Sequence, residues 1–361
     1  MTPEQKQRFL RHTLLPQVGE DGQNQLLESS VLIIGAGGLG CPAALYLAAA
    51  GVGRIGLVDP DKIDRSNLQR QILFTDTQVG QLKVEAAKER LQALHPALKV
   101  DTYPELFTVE NAAELVAQYD LVLDGSDNFP TRYLTNDAAF FAKKPLVYGS
   151  IFQFDGQVTV FHPAHGGPCY RCLLPDPPPA DAVPNCAEAG VLGALPGIIG
   201  TMQAMEALKI LLQIGEPPLG KLLNYDALRS SWREIKLRKD PSCKLCGDNP
   251  TLDTLQPEGH ACSVHNPFHE ITPEEFRTLR GKDWPGILVD VRTPEEFAQN
   301  RIEGSVFIPL QELPARYQEL PDDQPIVIHC KSGMRSARAC LFLAERGYSD
   351  LSNLTGGIEA W

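Results

Sequence analysis

The sequence lacks the features of a membrane-spanning or exported protein. None of its 361 positions begins a run of 18 apolar residues, whereas a helix that crosses a bilayer needs about 20. The first six residues are polar and contain no apolar segment of the kind found in signal peptides. We therefore expect no transmembrane helix, no signal peptide and no membrane partner, and we expect a cytoplasmic location.

Positive charge is also scarce. The chain has 33 lysines and arginines against 45 aspartates and glutamates, which gives a formal net charge of −12. A protein of this charge is repelled by phosphate backbones, so nucleic acid is not expected as a partner.

The cysteine content also gives no sign of a disulfide framework. Nine cysteines, an odd number, are spread over a chain long enough for two domains. Since no export signal is present, structural disulfides are not expected, and the thiols are candidates for metal ligands or catalysts.

A glycine-rich turn is the first feature that points to chemistry. Val31–Ile34 predicts a buried parallel strand, and Cys41–Ala50 predicts a helix. Between them Gly35, Gly37 and Gly40 fit the pattern G-x-G-x-x-G. Such glycines let phosphate approach the backbone, and the N–H groups of the helix N-terminus attract it. The stretch predicts a nucleotide site, although a tight turn without a ligand gives the same pattern.

Polar groups follow the next predicted strands. Arg54–Asp59 predicts a strand whose last residue, Asp59, lies where an acid binds ribose in such folds. The polar stretch Asp64–Gln71 could bind phosphates through its arginines, and Asp127 follows the buried strand Tyr119–Asp124 and could hold Mg²⁺. Asp59 could instead be a carboxylate that faces solvent, and the stretch 64–71 could be a solvated loop. Asp127 could instead form an Asx turn or a helix cap.

The rest of this region also predicts alternating elements. Gln78–Leu94 has the spacing of an amphipathic helix with Lys83 near its start, although a lone lysine on a helix usually faces solvent. Leu146–Ser150 and Gln157–Phe161 predict strands, and Pro196–Gln213 predicts an apolar helix that closes the domain.

Two CxxC pairs predict a metal site. The four cysteines are Cys169, Cys172, Cys243 and Cys246. Two such pairs form the ligand set of a tetrahedral, structural Zn²⁺ site, and the long gap between them excludes a zinc finger. The alternative is that one pair is a redox couple.

A lone cysteine follows a proline-rich segment. Pro175–Pro184 can form neither a helix nor an inner strand, so we expect an exposed loop. Cys186, just after it, is a candidate nucleophile, although single cysteines also serve as small packing residues. Residues 248–267 have no periodicity and predict a linker between two domains.

The second domain places a cysteine between a strand and a helix. Pro325–Cys330 predicts a buried strand and Ser336–Arg346 a helix, so Cys330 lies near a helix N-terminus, Lys331 and Arg335. These groups favour the thiolate, unless the thiol is only a buried structural one. Phosphatases use C-x5-R, whereas the arginine here comes one residue earlier. The shorter loop favours a persulfide carrier over a phosphatase.

Upstream of that cysteine the pattern is again strand and helix. Gly286–Arg292 predicts a strand, and Thr293 with Glu296 predicts a capping box at the start of the next helix. Val306–Pro309 predicts a short strand. Both domains therefore belong to the α/β class.

These residues resemble two known families. The glycine turn, Asp59, the stretch 66–70, Lys83, Asp127 and both CxxC pairs resemble the E1-like adenylyltransferases that activate sulfur-carrier proteins in the molybdopterin and thiamine pathways. The segment around Asp290–Arg292, the Cys330 loop and Gly356–Trp361 resemble rhodaneses. The resemblance implies a Rossmann-like E1 domain with structural zinc at 1–247, the linker 248–267, and a smaller rhodanese domain at 268–361.

The resemblance also implies roles for individual residues. ATP and Mg²⁺ would be bound by Gly35, Gly37, Gly38, Gly40, Asp59, Ser66, Asn67, Leu68, Gln69, Arg70, Lys83, Asp127 and Asn128. Arg11 matches an arginine that in the family reaches the partner subunit's ATP, so a homodimer is implied. Cys186 matches a crossover-loop cysteine that can link to the carrier, and Cys330 would carry the persulfide. Many rhodaneses have histidine where this chain has Arg301.

The predicted function is therefore adenylation of the Gly-Gly carboxylate of a ubiquitin-like carrier, followed by sulfur transfer from Cys330 to give a thiocarboxylate. Arg70, Lys83 and Asp127 are the predicted catalytic residues of the first step. The sulfur donor would be thiosulfate or a persulfide-forming desulfurase. Two alternatives remain: an NAD-dependent oxidoreductase fused to a rhodanese, and a non-catalytic docking module for a ubiquitin-like partner.

Overall fold

The computed structural model describes residues 1–178, 190–256, 268–281, 284–344 and 346–361. The chain divides into two compact units, Met1–Ala261 and Cys262–Trp361, and each is described by itself.

The N-terminal unit is built on an eight-stranded sheet with the order β3-β2-β1-β4-β5-β6-β7-β8. Its strands are β1 (Ser30–Ile34), β2 (Arg54–Val58), β3 (Lys99–Tyr103), β4 (Leu121–Asp124), β5 (Leu146–Phe152), β6 (Asp155–Phe161), β7 (Lys221–Asp226) and β8 (Ser231–Lys236). The first five strands pair in parallel, and β6 to β8 continue the sheet in antiparallel fashion. The strand order reverses beside β1, which is where open α/β sheets bind ligands.

Helices connect these strands. They are α1 (Pro3–Arg8), α2 (Leu10–Thr13), α3 (Gly19–Glu28), α4 (Gly40–Ala50), α5 (Lys83–Leu94), α6 (Val109–Ala117), α7 (Phe129–Phe141), α8 (Tyr170–Leu173) and α9 (Ala194–Leu212). Short 3₁₀ turns lie at Arg65–Asn67, Asp76–Gln78 and Pro163–His165.

The central strand β1 is buried on both faces. Val31 and Ile33 pack into one hydrophobic cluster, and Leu32 and Ile34 pack into another on the opposite side. A strand covered on both sides has no solvent face, so the four residues Val31 to Ile34 are all apolar. This explains why the sequence shows an unbroken apolar run where an exposed sheet would show alternation.

The long helix α9 belongs to the core. By length and composition it could cross a membrane, because its mean hydropathy is 1.2 over 18 residues. Half of that segment is nevertheless buried, and the helix packs against α4, β5 and β6. Its buried polar side chains Gln203 and Glu206 fit a core helix, and Gln203 Nε2 donates to the carbonyl of Asp124.

The C-terminal unit contains a five-stranded parallel sheet of order β11-β10-β12-β13-β9. Its strands are β9 (His269–Ile271), β10 (Ile287–Asp290), β11 (Val306–Phe307), β12 (Ile326–His329) and β13 (Leu351–Leu354). Its helices are α10 (Pro273–Arg280), α11 (Pro294–Gln299), α12 (Leu313–Arg316) and α13 (Met334–Ala344). The consecutive residues Leu288 and Val289 of β10 again enter different hydrophobic clusters, on opposite faces of the sheet.

Sequence patterns located most elements and missed some ends. The predicted helix 78–94 begins only at Lys83, because a separate 3₁₀ turn occupies Asp76–Gln78. The helix predicted from Ser336 begins at Met334. The capping box at Thr293 and Glu296 is confirmed: the Thr293 hydroxyl accepts from the Glu296 N–H, and the Glu296 carboxylate accepts from the Thr293 N–H.

Candidate active sites

The glycine turn between β1 and α4 is shaped by close backbone contacts. Gly35 has φ of +92°, and a Cβ there would lie 2.9 Å from the carbonyl oxygen of Gly125. A Cβ on Gly40 would overlap the carbonyl oxygen of Gly35. Side chains are therefore excluded at both positions, Gly35 because of its left-handed backbone and Gly40 because α4 starts against the turn.

A cavity of about 230 Å³ opens over this turn, at the carboxyl ends of the parallel strands. Among the predicted site residues its lining includes Gly35, Gly37, Gly38, Asp59, Arg70, Lys83, Asp127 and Asn128. Cations, carboxylates and bare backbone therefore line one space, and this combination suits a magnesium-bound phosphate chain.

Lys83 and two aspartates form a charge cluster in this cavity, in which Lys83 and Asp59 are buried and Asp61 is exposed. The Nζ atom lies 2.7 Å from Asp61 Oδ2 and 3.7 Å from Asp59 Oδ1. Asp59 also accepts hydrogen bonds from the N–H groups of Ala36 and Asp61. Burial raises the pKa of Asp59, and the Lys83 ammonium opposes that shift. Asp59 is thus fixed against the glycine turn, and Lys83 is 5% exposed and held at the cavity wall.

The loop after β4 leaves Asp127 available. Asp124 Oδ1 accepts from the N–H and the hydroxyl of Ser126, which makes an Asx turn. Asn128 caps α7 by accepting from the N–H of Thr131. The Asx-turn and helix-cap alternatives are therefore occupied by the residues on either side of Asp127. Its own carboxylate is exposed, lines the cavity and makes no hydrogen bond to the described residues.

Other predicted residues lie outside the cavity lining. Ser66 and Asn67 belong to the 3₁₀ turn capped by Asp64, and the Ser66 carbonyl accepts from Arg70 Nη1 at 3.1 Å. The remaining residues are Gly40 at the start of α4, Leu68 and Gln69 just after the 3₁₀ turn, and Arg11, exposed on α2. Cys186 lies outside the described residues.

Sequence reasoning missed Arg132 and Gln71. Both are buried, at 8% and 4% exposure, and both line the cavity. The Arg132 guanidinium lies 5.5 Å from the Phe129 ring centre, and it opposes the burial that raises the pKa of Asp124. Arg132 could have been found from its position, because it lies in the first turn of α7, just after the predicted site residues Asp127 and Asn128. The first turn of a helix lies next to its cap, so its side chains can reach the same site.

The two CxxC pairs come together in three dimensions. The four sulfur atoms of Cys169, Cys172, Cys243 and Cys246 lie within 4.8 Å of one another. The Cys169–Cys243 and Cys172–Cys246 sulfurs are 3.7 and 3.3 Å apart. Tetrahedral Zn²⁺ with Zn–S bonds of about 2.3 Å requires sulfur separations of about 3.8 Å. The donor set and its spacing therefore fit zinc.

Backbone N–H groups support these sulfurs. Asp240 donates to Cys172 Sγ at 3.3 Å, and Cys246 donates to Cys243 Sγ at 3.5 Å. Hydrogen bonds with Cys169 and Cys246 lower the pKa of Cys172, and contacts within the same cluster raise the pKa of Cys169. Such outer hydrogen bonds are typical of metal-bound cysteines.

A buried ion pair joins this cluster to α7. Arg171, inside the first CxxC, donates from Nε to Asp137 Oδ1 at 2.9 Å and from Nη2 to Asp137 Oδ2 at 2.5 Å. The neighbouring Asn136 accepts from the N–H of Tyr170. Because α7 also begins at the cavity, the cysteine cluster anchors the helix that follows Asp127.

In the C-terminal unit, Cys330 occupies the turn from β12 to α13. Cys330 is 1% exposed, and its sulfur accepts hydrogen bonds from the Gly333 N–H at 3.1 Å and the Ser336 hydroxyl at 3.4 Å. The chain end holds the same loop, because the N–H groups of Ile358 and Glu359 donate to the carbonyls of Cys330 and Lys331. The loop therefore encloses a single sulfur atom.

The loop arginine is bound to a glutamate. Arg335 donates from both terminal nitrogens to Glu296, each at 2.7 Å. This pairing lowers the pKa of Glu296 to about 2. The Cys330 sulfur also interacts with Arg335 and adds to the increase in its pKa. The sequence placed Arg335 at the cysteine correctly and did not reveal that Glu296 neutralises its charge.

A second ion pair is buried at the end of β10, beside β12. Asp290 and Arg292 form a buried bidentate pair, with Arg292 Nη2 at 2.7 Å from Asp290 Oδ2. The ring of His329, which directly precedes Cys330, lies 3.5 Å from the same carboxylate, and burial lowers the pKa of His329. Arg301 stacks over the Phe297 ring at 5.4 Å.

Family models match both units. The ThiF family model matches residues 9–245, and the rhodanese-like domain model matches residues 272–361.

Several known proteins are similar in sequence to this chain over most of its length. The sulfur carrier protein adenylyltransferase of Thermus thermophilus is 56% identical over 258 residues, covering 70% of this chain and 95% of that protein. The probable adenylyltransferase/sulfurtransferase MoeZ of Mycobacterium tuberculosis is 43% identical over 373 residues, covering 100% and 94%. The adenylyltransferase and sulfurtransferase MOCS3 of Aedes aegypti is 40% identical over 376 residues, covering 98% and 86%.

Solved structures share the fold. Escherichia coli MccB with succinimide superposes with a TM-score of 0.59 at 20% identity, covering 68% of this chain and 74% of that one. PaaA superposes with a TM-score of 0.58 at 22% identity, covering 66% and 76%.

Proposed function

Because the chain belongs to the ThiF family and ends in a rhodanese-like domain, we propose that it is a two-step adenylyltransferase and sulfurtransferase. It activates the C-terminal carboxylate of a ubiquitin-like sulfur-carrier protein with ATP and then converts it to a thiocarboxylate. The names of its relatives support both activities. They do not favour an NAD-dependent oxidoreductase or a non-catalytic docking module.

One observation carries the proposal. Asp127 makes no hydrogen bond to the described residues and lines the same cavity as Arg70 and Lys83, over a turn of bare glycine backbone. A dinucleotide oxidoreductase binds phosphate at the glycine turn and has no need of Arg70 and Lys83 as additional phosphate-binding cations. An enzyme that expels pyrophosphate does, because negative charge builds up on the phosphate oxygens as the bond breaks.

In the first step, the carrier carboxylate attacks the α-phosphorus of ATP and pyrophosphate leaves. Arg70 and Lys83 bind the phosphate oxygens, Asp59 binds the ribose, and the glycine turn presents its N–H groups. Asp127 and Asn128 would hold Mg²⁺, which neutralises phosphate charge when bound. When ATP binds, the Lys83 ammonium leaves one of its two carboxylate partners and contacts a phosphate oxygen instead.

In the second step, the terminal sulfur of a Cys330 persulfide attacks the acyl-adenylate and AMP leaves. The product is an acyl disulfide between carrier and Cys330. A second thiol then attacks the Cys330 sulfur, which releases the carrier thiocarboxylate and leaves a disulfide for an external thiol reductant to reduce. Cys186 is the proposed resolving thiol or an earlier acyl acceptor.

The remaining assignments follow the family resemblance. We propose a homodimer in which Arg11 reaches the partner's nucleotide, domains at 1–247 and 268–361 joined by the linker 248–267, and a cytoplasmic location. The four-cysteine cluster would hold a structural Zn²⁺. Ser66, Asn67, Leu68 and Gln69 would shape the phosphate-binding stretch around Arg70.

The test mixes the protein with a Gly-Gly-tailed carrier, Mg-ATP, thiosulfate and a thiol reductant, and measures the mass of the carrier. The expected change equals the replacement of one oxygen by sulfur. A Cys330→Ala variant is expected to retain ATP–pyrophosphate exchange and lose the mass change. If the variant keeps the full rate of sulfur incorporation, the proposed role of the second domain is wrong. Saturable NAD binding without exchange would instead support an oxidoreductase.

A further inference from the structure

The charges of the Cys330 loop are already balanced by this chain's own carboxylates. Arg335 is bound in bidentate fashion by Glu296, with side-chain exposures of 24% and 26%. Lys331, the other cation of the loop, lies 3.4 Å from Glu359 Oε1, although this pair is exposed. Each cation therefore has a carboxylate facing it, and the loop offers no net positive charge.

Glu296 is held in place by a second task. One of its carboxylate oxygens accepts both from Arg335 Nη1 and from the N–H of Thr293, the cap of α11. A carboxylate fixed at a helix start cannot swing away when a substrate enters without breaking the cap. The neutralisation of Arg335 is thus built into the fold rather than supplied by a mobile surface residue.

This arrangement bears on the sulfur donor. Thiosulfate is a dianion, and a loop that binds it well needs unpaired cations or N–H groups. A persulfide, R–S–SH, carries at most one negative charge and needs little such help. The Gly333 N–H and the Ser336 hydroxyl already donate to Cys330 Sγ, so neither is free to bind the sulfonate oxygens of thiosulfate.

We propose that Glu296, assisted by Glu359, makes the Cys330 loop select alkyl persulfides over the thiosulfate dianion. This inference rests on the proposed persulfide chemistry of Cys330. The Cys330 thiolate attacks the terminal sulfur of R–S–SH, the S–S bond of the donor breaks, and R–S⁻ leaves. The leaving thiolate takes up the proton, Cys330 carries the persulfide, and no external oxidant or reductant is needed.

The experiment compares two donors on the full-length protein. Thiosulfate is one, and the persulfide of N-acetylcysteine methyl ester, which has no charge besides that on its sulfur, is the other. Sulfur loading of Cys330 is followed by transfer to cyanide. A persulfide-loaded cysteine desulfurase forms a third arm, which separates a protein-borne donor from a small one.

Glu296→Gln is the decisive variant, because glutamine keeps the capping box and removes only the charge. We expect the KM for thiosulfate to fall about tenfold, the worth of one charged hydrogen-bond partner, and the KM for the alkyl persulfide to change little. Glu359→Gln should give less than about a twofold decrease, because exposed pairs are weak. Glu295→Gln, which removes an exposed charge from the same helix, should change neither KM.

Two results would overturn the inference. One is an unchanged thiosulfate KM in a folded Glu296→Gln protein. The other, available even if that variant does not fold, is a wild-type kcat/KM for thiosulfate above that for the alkyl persulfide. The Cys330→Ala variant distinguishes a failure of this inference from a failure of the proposed function. It is expected to lose all sulfur loading, and retained loading would reject the proposed function itself.

Discussion

The glycine turn after β1 and the Cys330 loop after β12 are built alike and enclose very different spaces. Both join a buried parallel strand to the N-terminus of a helix, and both depend on glycines that a Cβ would disrupt. The first opens into a cavity of about 230 Å³, whereas the second closes around the sulfur of Cys330, a residue that is 1% exposed.

The difference comes from neighbouring segments. Over the glycine turn, the loops after β2 and β4 leave an open space and contribute Asp59 and Asp127 to the cavity wall. Over the Cys330 loop, the chain end folds down, and Ile358 and Glu359 donate to the loop carbonyls. The same strand-turn-helix unit therefore serves a large polyanion or a single atom, according to what the rest of the sheet places around it.

The largest expected effects separate the two loops completely. Lys83→Ala or Asp127→Ala should lower ATP–pyrophosphate exchange at least about 100-fold, because each removes a group that meets phosphate or metal charge. Thiosulfate:cyanide transfer should be unchanged in both. Lys99→Ala, which removes an exposed lysine of the same unit, is the control. Parallel loss of both activities would mean that the two loops do not act independently.

Glycine replacement tests the shared construction. A Cβ on Gly357 would lie 2.5 Å from the carbonyl oxygens of Cys330 and Lys331, at φ of +59°. Gly357→Ala should therefore displace the Cys330 loop and cost about 2–3 kcal/mol of unfolding free energy in the C-terminal unit, measured by denaturant titration.

Gly40→Ala should do the same to the nucleotide turn of the N-terminal unit. A Cβ on Gly197 meets nothing within 4 Å, so Gly197→Ala should be neutral or slightly stabilising. Equal stabilities for all three variants would contradict the account of both loops.

Metal removal should affect only the N-terminal unit. We expect one Zn²⁺ per chain by elemental analysis and its loss in Cys172→Ser. Chelation should lower the melting temperature of the N-terminal unit and leave the C-terminal unit unchanged, since the cluster anchors α7 through Arg171 and Asp137. Cys41→Ala, which removes a buried thiol away from the cluster, should retain the metal. A full zinc content in Cys172→Ser would reject the four-cysteine site.

The smallest effect concerns acid stability of the C-terminal unit. Arg335 lowers the pKa of Glu296 from 4.5 to about 2 in the folded protein. The unfolded chain therefore takes up a proton first, so the stabilisation is complete above about pH 4.5 and is lost as the pH falls towards 2. It should amount to at most about 1 kcal/mol, because solvent screens a partly exposed pair.

Glu296→Gln should remove this component of the acid transition, measured by denaturant titration between pH 2 and pH 6. Glu303→Gln, at an exposed site of the same unit, is the matched control. An acid transition in Glu296→Gln as steep as that of the wild type would show that the pair contributes nothing.

Local sequence determined much of this protein. The apolar run of β1, the glycine turn, the capping box at Thr293 and the cysteine at the end of β12 are each specified within a few residues, because strand burial, turn geometry and helix capping depend on neighbours in the chain. The spacing of the two CxxC pairs likewise predicted the four-cysteine cluster. These features sufficed to predict two α/β domains and the chemistry of each.

Only the tertiary structure decided which charges meet. Lys83 contacts Asp59 and Asp61, Arg132 enters the cavity from α7, and Glu296 neutralises Arg335 across 39 positions of sequence. Such pairings depend on the order of strands in a sheet and on which loops share an edge. A local pattern carries no record of that order, so the sequence could supply the reacting groups, and the fold alone set their electrostatic partners.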